Sequence, residues 1–232
     1  MIRKDIRIEK YAHMIYGLWW AGVSGCFRTL RAGFIVGSRM TFFSGATLLT
    51  PLAGYYGGAL GSLSAYLFRI FQSYLISPQL GYKYYLVYHI PGFCAALYLS
   101  LSQSSSKGKY LIGCFLPLLC MALFISDAIG SQAWWYSLYW FIPVSITLFS
   151  FQSRFTQLLA TTFIAHSVGS MVSLFTKPLS VVEWQYLVGV VWYERLLYVL
   201  GMYVVIEAVE YVSARLGILT EKAHALLGRE VS

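Results

Sequence analysis

Three ionisable residues lie deep inside long apolar segments of the chain, where a charge needs a partner. His166 is near the middle of segment 155–176, and Glu194 and Arg195 lie inside segment 186–212. An ionised side chain in an apolar environment is costly unless it is paired or hydrated. Adjacent helix residues point about 100° apart, but a long arginine side chain can still reach the neighbouring carboxylate.

These three residues allow two interpretations. In the first, Arg195 binds an anionic group of a small molecule, Glu194 orients the guanidinium, and His166 donates or accepts a hydrogen bond nearby. In the second, the same side chains only hold helices together, as polar groups do between membrane helices. Arg39 and His89 are further candidates for substrate binding, because Arg39 lies beside the polar patch 41–44 and His89 opens an apolar segment.

Sequence signatures of an enzyme are absent. The chain has no HExxH, GxSxG, P-loop or paired aspartate-rich motif, so we predict no catalytic residues and no cofactor. The four cysteines lack CxxC spacing and lie in apolar settings, which predicts neither a metal site nor a disulfide. If the protein is an enzyme after all, His166 and Glu194 are its acid–base pair, acting on a lipid-soluble substrate.

The elements that carry these residues are apolar segments long enough to cross a bilayer. Charged residues make up only 11% of the 232 residues and hydrophobic residues 58%, a balance that a water-soluble chain cannot bury. We predict an all-α polytopic membrane protein with six to seven transmembrane helices. Five simple spans are expected at 85–103, 110–129, 133–152, 155–176 and 186–212.

The first third of the chain is harder to divide into spans. Segment 11–27 is short, and it is either a first span or an interfacial helix. Segment 40–68 is too long for one simple span, and Pro51 predicts either one kinked helix or two short helices joined near it. We therefore expect a single membrane domain, with a basic N-terminal region at 1–39, a transmembrane core at 40–212 and a tail at 213–232.

Positive charges orient the chain in the membrane. Lys107 and Lys109, then Arg154, then Arg215 recur at intervals of two spans, and such clusters stay on the cytoplasmic side. This predicts a multi-pass protein of the cell (inner) membrane with a cytoplasmic C-terminus and lipid as its surroundings. The net charge of +8 is explained by this rule, so we do not expect nucleic-acid binding. Glu207 and Glu210 lie near the same predicted cytoplasmic side, where we expect them to belong to a solvated helix end.

A glycine-rich stretch follows Pro51 and predicts a surface of close helix contact. Gly54, Gly57, Gly58 and Gly61 include pairs at four-residue spacing, which let a second helix approach closely. Ordinary internal packing is one explanation. Docking of a partner protein is the other.

Together with Thr41–Pro51 before it and Tyr66–Arg69 after it, this stretch resembles the second and third helices of substrate-binding S components of energy-coupling-factor vitamin transporters. The resemblance implies a small-molecule uptake protein that works with a separate transmembrane coupling subunit and ATPases. The chain carries no nucleotide-binding motif of its own, so ATP hydrolysis would have to be carried out by such partner ATPases. The alternatives are a membrane-embedded enzyme and a structural or assembly protein.

Overall fold

The computed structural model describes residues 2–27, 45–104, 106–176 and 179–226, with the backbone alone at 2–9 and 217–226. All regular elements in these ranges are helical, which confirms the all-α class. The α-helices are α1 (Ile2–Cys26), α2 (Gly45–Leu49), α3 (Leu52–Ile76), α4 (Gly81–Gln103), α5 (Gly108–Ser126, with a π-helical turn at Leu111–Phe115), α6 (Phe141–Leu148), α7 (Arg154–Thr176) and α8 (Val181–Leu226). Short 3₁₀ helices at Pro78–Leu80 and Gly130–Trp140 precede α4 and α6.

Four helical segments in the described ranges are long and apolar enough to cross a membrane. They are Pro78–Gln103, Gly108–Ser126, Arg154–Thr176 and Val181–Leu216. They match four of the five simple spans expected from the sequence. The fifth, 133–152, is divided between the 3₁₀ helix Gly130–Trp140 and α6. Pro143 has no N–H to donate to the carbonyl one turn earlier, which favours a break near the start of α6.

The chain reverses direction inside α3, at Gly58. This residue has φ 61° and ψ −160°, a conformation that residues with a side chain rarely adopt. A Cβ atom on Gly61 would lie 2.6 Å from the carbonyl oxygen of Ala53, whereas eight residues of straight helix cover about 12 Å. α3 is therefore a hairpin with a short arm at 52–57 and a long arm at 59–76. α2 and α3 are joined at Pro51, as expected, and Gly58 is a second break, where the left-handed conformation is available.

The long arm of α3 packs against two helices in opposite senses. It is antiparallel to α4, since Ser73 near its end bonds to His89, in the first half of α4. It is parallel to α1, because Ser64 donates a hydrogen bond to the Met14 carbonyl at 3.3 Å and later residues of each helix meet further along.

The N-terminal region is thus part of the bundle, and its helix begins at Ile2, well before the apolar segment 11–27. A Cβ atom on Gly17 would lie 2.6 Å from the Gly61 Cα atom, and one on Gly57 would lie 2.8 Å from the His13 carbonyl oxygen. Gly54 makes an equally close approach to the Ala96 backbone of α4. The glycine stretch therefore lies at internal contacts of the hairpin with α1 and α4.

Proline 91 lies inside a helix, although we expected it to open one. α4 begins at Gly81, so the helix continues for ten residues before Pro91. The ring faces α7, where a Cβ atom on Gly169 would lie 3.8 Å from the proline side chain. The missing N–H of Pro91 is thus accommodated at a helix–helix contact, where neighbouring helices can compensate for it.

Candidate functional site

Glu194 and Arg195 form a buried ion pair on α8. The Arg195 Nη2 atom lies 3.2 Å from Glu194 Oε2, and the two residues are 5% and 3% exposed. The guanidinium carbon also lies 4.6 Å from the centre of the Tyr198 ring. Tyr198 is three residues further along α8 and therefore on the same side of the helix as Arg195. The pair is close to neutral as a unit, which is how a charge is tolerated in an apolar interior.

The second wall of the site comes from α7 and the 3₁₀ helix. His166 and Ser170 are four residues apart on α7 and share a face. The Tyr136 hydroxyl bonds to Ser170 Oγ at 3.0 Å, and the Tyr136 ring lies 5.2 Å from the His166 ring, centre to centre. The Arg195 charge interacts with both His166 and Tyr136. The structure thus brings together the three residues singled out from the sequence, and adds Tyr136.

Aromatic rings enclose this polar centre on the side away from Arg195. The Tyr136 ring lies 4.9 Å from the Trp184 ring and 6.2 Å from the Trp140 ring, and Phe124 contacts all three of these rings. Each of the four is at most 1% exposed. In a 3₁₀ helix residues three apart are eclipsed, so Ala133 and Tyr136 point to the same side and both are buried.

Five buried polar atoms of this centre have no hydrogen-bond partner within the described part of the chain. They are His166 Nε2, Glu194 Oε1, Arg195 Nε, Trp140 Nε1 and Trp184 Nε1. Leaving a buried polar group unpaired costs about 1–3 kcal/mol, so these atoms call for an explanation. The atoms of His166, Glu194 and Arg195 belong to the polar centre itself, whereas the two indole nitrogens belong to the rings beyond Tyr136, with Trp184 about 16 Å along α8 from Arg195. Three are N–H donors, one is a carboxylate acceptor, and the imidazole nitrogen serves either role. Together they match a small polar ligand rich in acceptors, or water.

The other two predicted binding residues are not part of this centre as the structure describes it. Arg39 lies outside the described residues. His89 bonds through Nε2 to Ser73 Oγ at 2.8 Å, at the contact between α4 and the long arm of α3. His89 stands out in the sequence as a histidine close to Pro91 in an apolar segment. Which neighbouring helix its side chain contacts, however, depends on packing.

Tyr136 and Ser170 are the members that sequence reasoning missed. Tyr136 belongs to the aromatic run 134–140, which reads as an interfacial belt, and a lone serine in an apolar helix is unremarkable in the sequence. No sequence signal separates Tyr136 from its neighbours, because the buried positions of this element are spaced by both three and four residues, at Gly130, Ala133, Tyr136, Ser137 and Trp140.

A second ionic cluster lies at the other end of α7. Arg154 pairs with both Glu207 and Glu210 of α8, at 3.0 Å to the latter, and the Tyr55 hydroxyl donates to Glu210 at 3.1 Å. The two glutamates are therefore ion-paired, where we expected a solvated helix end. The Arg154 side chain is 33% exposed, so the cluster contributes little to stability and mainly joins three helices.

No group of three or more His, Cys, Asp or Glu side chains in the described ranges is arranged to hold a metal ion. No family model matches the chain, and neither a curated protein nor a solved structure matches it. The resemblance to S components stays a prediction from the residues. The buried polar centre is the feature of the structure that bears most directly on function.

Proposed function

We propose that this protein binds a small polar molecule inside the membrane and serves as the substrate-binding subunit of an energy-coupling-factor-like uptake system. The observation that carries the proposal is the set of five unpartnered polar atoms around Tyr136, His166 and the Glu194–Arg195 pair. Polar groups at membrane depth are costly to maintain and are usually retained for substrate or ion binding.

The depth of the centre also supports binding for uptake. His166 is ten residues from the end of α7, and Arg195 is fourteen residues from the start of α8, or about 15 and 21 Å along helices. These values put both residues near the middle of a hydrocarbon core of about 30 Å. Trp184 continues the centre towards the predicted outer surface, from which a substrate would arrive.

The proposal includes seven membrane-crossing helices. Besides the four apolar spans, α1, the long arm of α3 and Gly130–Leu148 are each at least 18 residues long, which is enough to cross the hydrocarbon core. The connection between α1 and α2 includes residues 28–44, which lie outside the described residues. Arg3, Lys4 and Arg7 near one terminus and Arg215 near the other favour the cytoplasmic side. A separate coupling subunit and ATPases would drive transport by ATP hydrolysis.

Ligand capture by the purified protein tests the proposal. We expect the wild type to retain a small molecule that mass spectrometry detects after denaturation, and Arg195→Gln to lose it while remaining monodisperse. Arg215→Gln is the matched control, because Arg215 lies on the same helix but is exposed and bonds to Tyr211 at 3.2 Å. Equal retention by Arg195→Gln and wild type would refute the proposal.

A structural role is the second candidate, and the 3.2 Å Glu194–Arg195 pair within tightly packed rings favours it. In that case the wild type retains no small molecule, and a lower melting temperature is the only effect of Arg195→Gln and Glu194→Gln. An enzyme is not favoured, because His166 Nε2 and Glu194 Oε1 make no hydrogen bond within the described part of the chain and so do not form an acid–base pair.

A further inference from the structure

A polar cleft lies at the end of the bundle opposite to the aromatic rings. It is a shallow, open depression whose enclosed space is only about 10 Å³, roughly the room for one water molecule. The floor is formed by Tyr98 of α4 and Thr147 of α6, whose hydroxyl oxygens lie 3.0 Å apart. The rim carries Lys109, Ser150, Gln152 and Gln157. This site shares no residue with the buried polar centre and does not depend on the function proposed above.

The cleft is positively charged. Lys109 lines it at the start of α5, and no carboxylate belongs to the lining formed by the described residues. The ammonium group lies 5.2 Å from the centre of the Tyr110 ring and makes no ion pair within the described ranges. Arg154, one turn before Gln157, is paired with two glutamates, so this group has a net charge of about −1 and adds no positive charge to the cleft. Lys109 therefore supplies the charge of the cleft.

Side-chain donors also outnumber acceptors on the rim. The ammonium of Lys109 has three N–H donors, and the amides of Gln152 and Gln157 and the hydroxyl of Ser150 add more. A ligand that satisfies them must carry several acceptor oxygens and negative charge. A phosphate group has both properties, and charge-assisted hydrogen bonds to it are among the strongest in proteins.

Ser150 occupies a backbone position that favours glycine. It has φ 52°, the left-handed region, and is the one residue other than glycine with positive φ among those described. It closes α6, with the Ser150 N–H bonded to the Thr147 carbonyl and the Phe151 N–H to the Ile146 carbonyl. Glycine usually takes this position at a helix end. The serine costs stability there and places a hydroxyl on the cleft.

The cleft lies at the level of lipid headgroups. Ser102 and Lys109 mark the end of one span and the start of the next, and Gln157 is in the first turn of a third. Leu148, Phe149 and Phe151 beside it are 58%, 72% and 54% exposed, as expected for side chains that enter the lipid. We infer that this cleft binds a phosphate group on the predicted cytoplasmic face, from a phospholipid headgroup or a small phosphate ester.

Lipid retention by the full-length protein tests the inference. The protein is purified in detergent with phosphatidylglycerol or phosphatidylcholine, and bound lipid is counted by native mass spectrometry with and without millimolar glycerol phosphate. Lys109→Gln removes the charge, and Lys107→Gln is the matched control because Lys107 is exposed nearby but does not line the cleft. Both lysines are at the surface, so neither change should prevent folding.

We expect Lys109→Gln to lower phosphatidylglycerol retention roughly fivefold to tenfold and Lys107→Gln to change it less than about twofold. Displacement of the lipid by glycerol phosphate would identify the free ester as a ligand, and resistance to it would identify the headgroup in its membrane setting. Equal losses from both lysine variants would overturn the inference, since the binding would then be unspecific. Phosphatidylcholine carries the same phosphate, so its retention should also depend on Lys109 and not on Lys107.

Discussion

Replacing Gly61 by alanine is expected to destabilise the bundle, although the same change usually stabilises a helix. A Cβ atom at this position would lie 2.6 Å from the Ala53 carbonyl oxygen and 3.2 Å from that of His13. Both neighbours are backbone atoms, so no side chain can rotate away. Restoring an ordinary contact of 3.4 Å requires the two arms of the α3 hairpin to separate by 0.8 Å or more. Overpacking of this kind costs about 1–3 kcal/mol.

Gly22 provides the matched control for this substitution. It lies inside α1, and a Cβ atom there would meet nothing within 4 Å. Gly22→Ala is therefore expected to stabilise the protein by about 0.5–1 kcal/mol through the lower backbone entropy of the unfolded chain.

Thermal melting of the two variants in detergent measures the difference. For a chain of this size 1 kcal/mol corresponds to about 2–4 °C, so we expect Gly61→Ala to melt about 2–12 °C below wild type. Gly22→Ala should melt at or slightly above it. If Gly61→Ala melts at or above wild type, the arms of the hairpin do not approach as closely as described, and the reversal at Gly58 is wrong.

Four further predictions follow from the same structure. Arg195→Gln and Glu194→Gln should each destabilise the protein by about 3–5 kcal/mol, and the double variant by less than either, because only the single changes leave an unpaired buried charge; additive losses in a double-mutant melting cycle would contradict this. Ser150→Gly should raise the melting temperature, by about 0.5–1 kcal/mol in stability, because glycine adopts positive φ without strain; a decrease would show that the hydroxyl stabilises the turn. Arg154→Gln should cost no more than about 1 kcal/mol, since its partners are exposed, and the loss should shrink in high salt. A reporter fused after Ser232 should be active in the cytoplasm alone, and activity on the other side would reverse the proposed topology.

Helical class and membrane character could be predicted from the sequence because they depend on composition and segment length alone. About 20 apolar residues in a row must satisfy their backbone hydrogen bonds internally, which leaves a helix as the local structure. The spans around His166 and Arg195 were predicted nearly at their observed bounds for this reason. The prediction was poor where aromatic residues and glycines dominate, at Gly130–Trp140 and around Gly58.

The position of the reversal at Gly58 could not be predicted from composition. Several glycines in that stretch permit a positive φ, and the sequence alone does not say which of them adopts it. The choice depends on which backbones meet: Gly54 contacts α4, Gly61 contacts the opposite arm, and Gly58 is left at the turn. The break expected at Pro51 is present, between α2 and α3, but the sequence did not predict the second break at Gly58, where a reversal needs the left-handed conformation.

The candidate site, too, could be predicted only in part from the sequence. The sequence by itself determined that His166, Glu194 and Arg195 need partners, because a charge in an apolar segment is costly wherever the helix lies. The sequence also offered the neighbouring Glu194 as a partner of Arg195, and the structure shows that pair. The tertiary structure alone decided that Tyr136 joins them and that His89 packs elsewhere. Those outcomes depend on which helix faces meet, and the identity of a facing residue on another helix is a property of packing that no local sequence pattern contains.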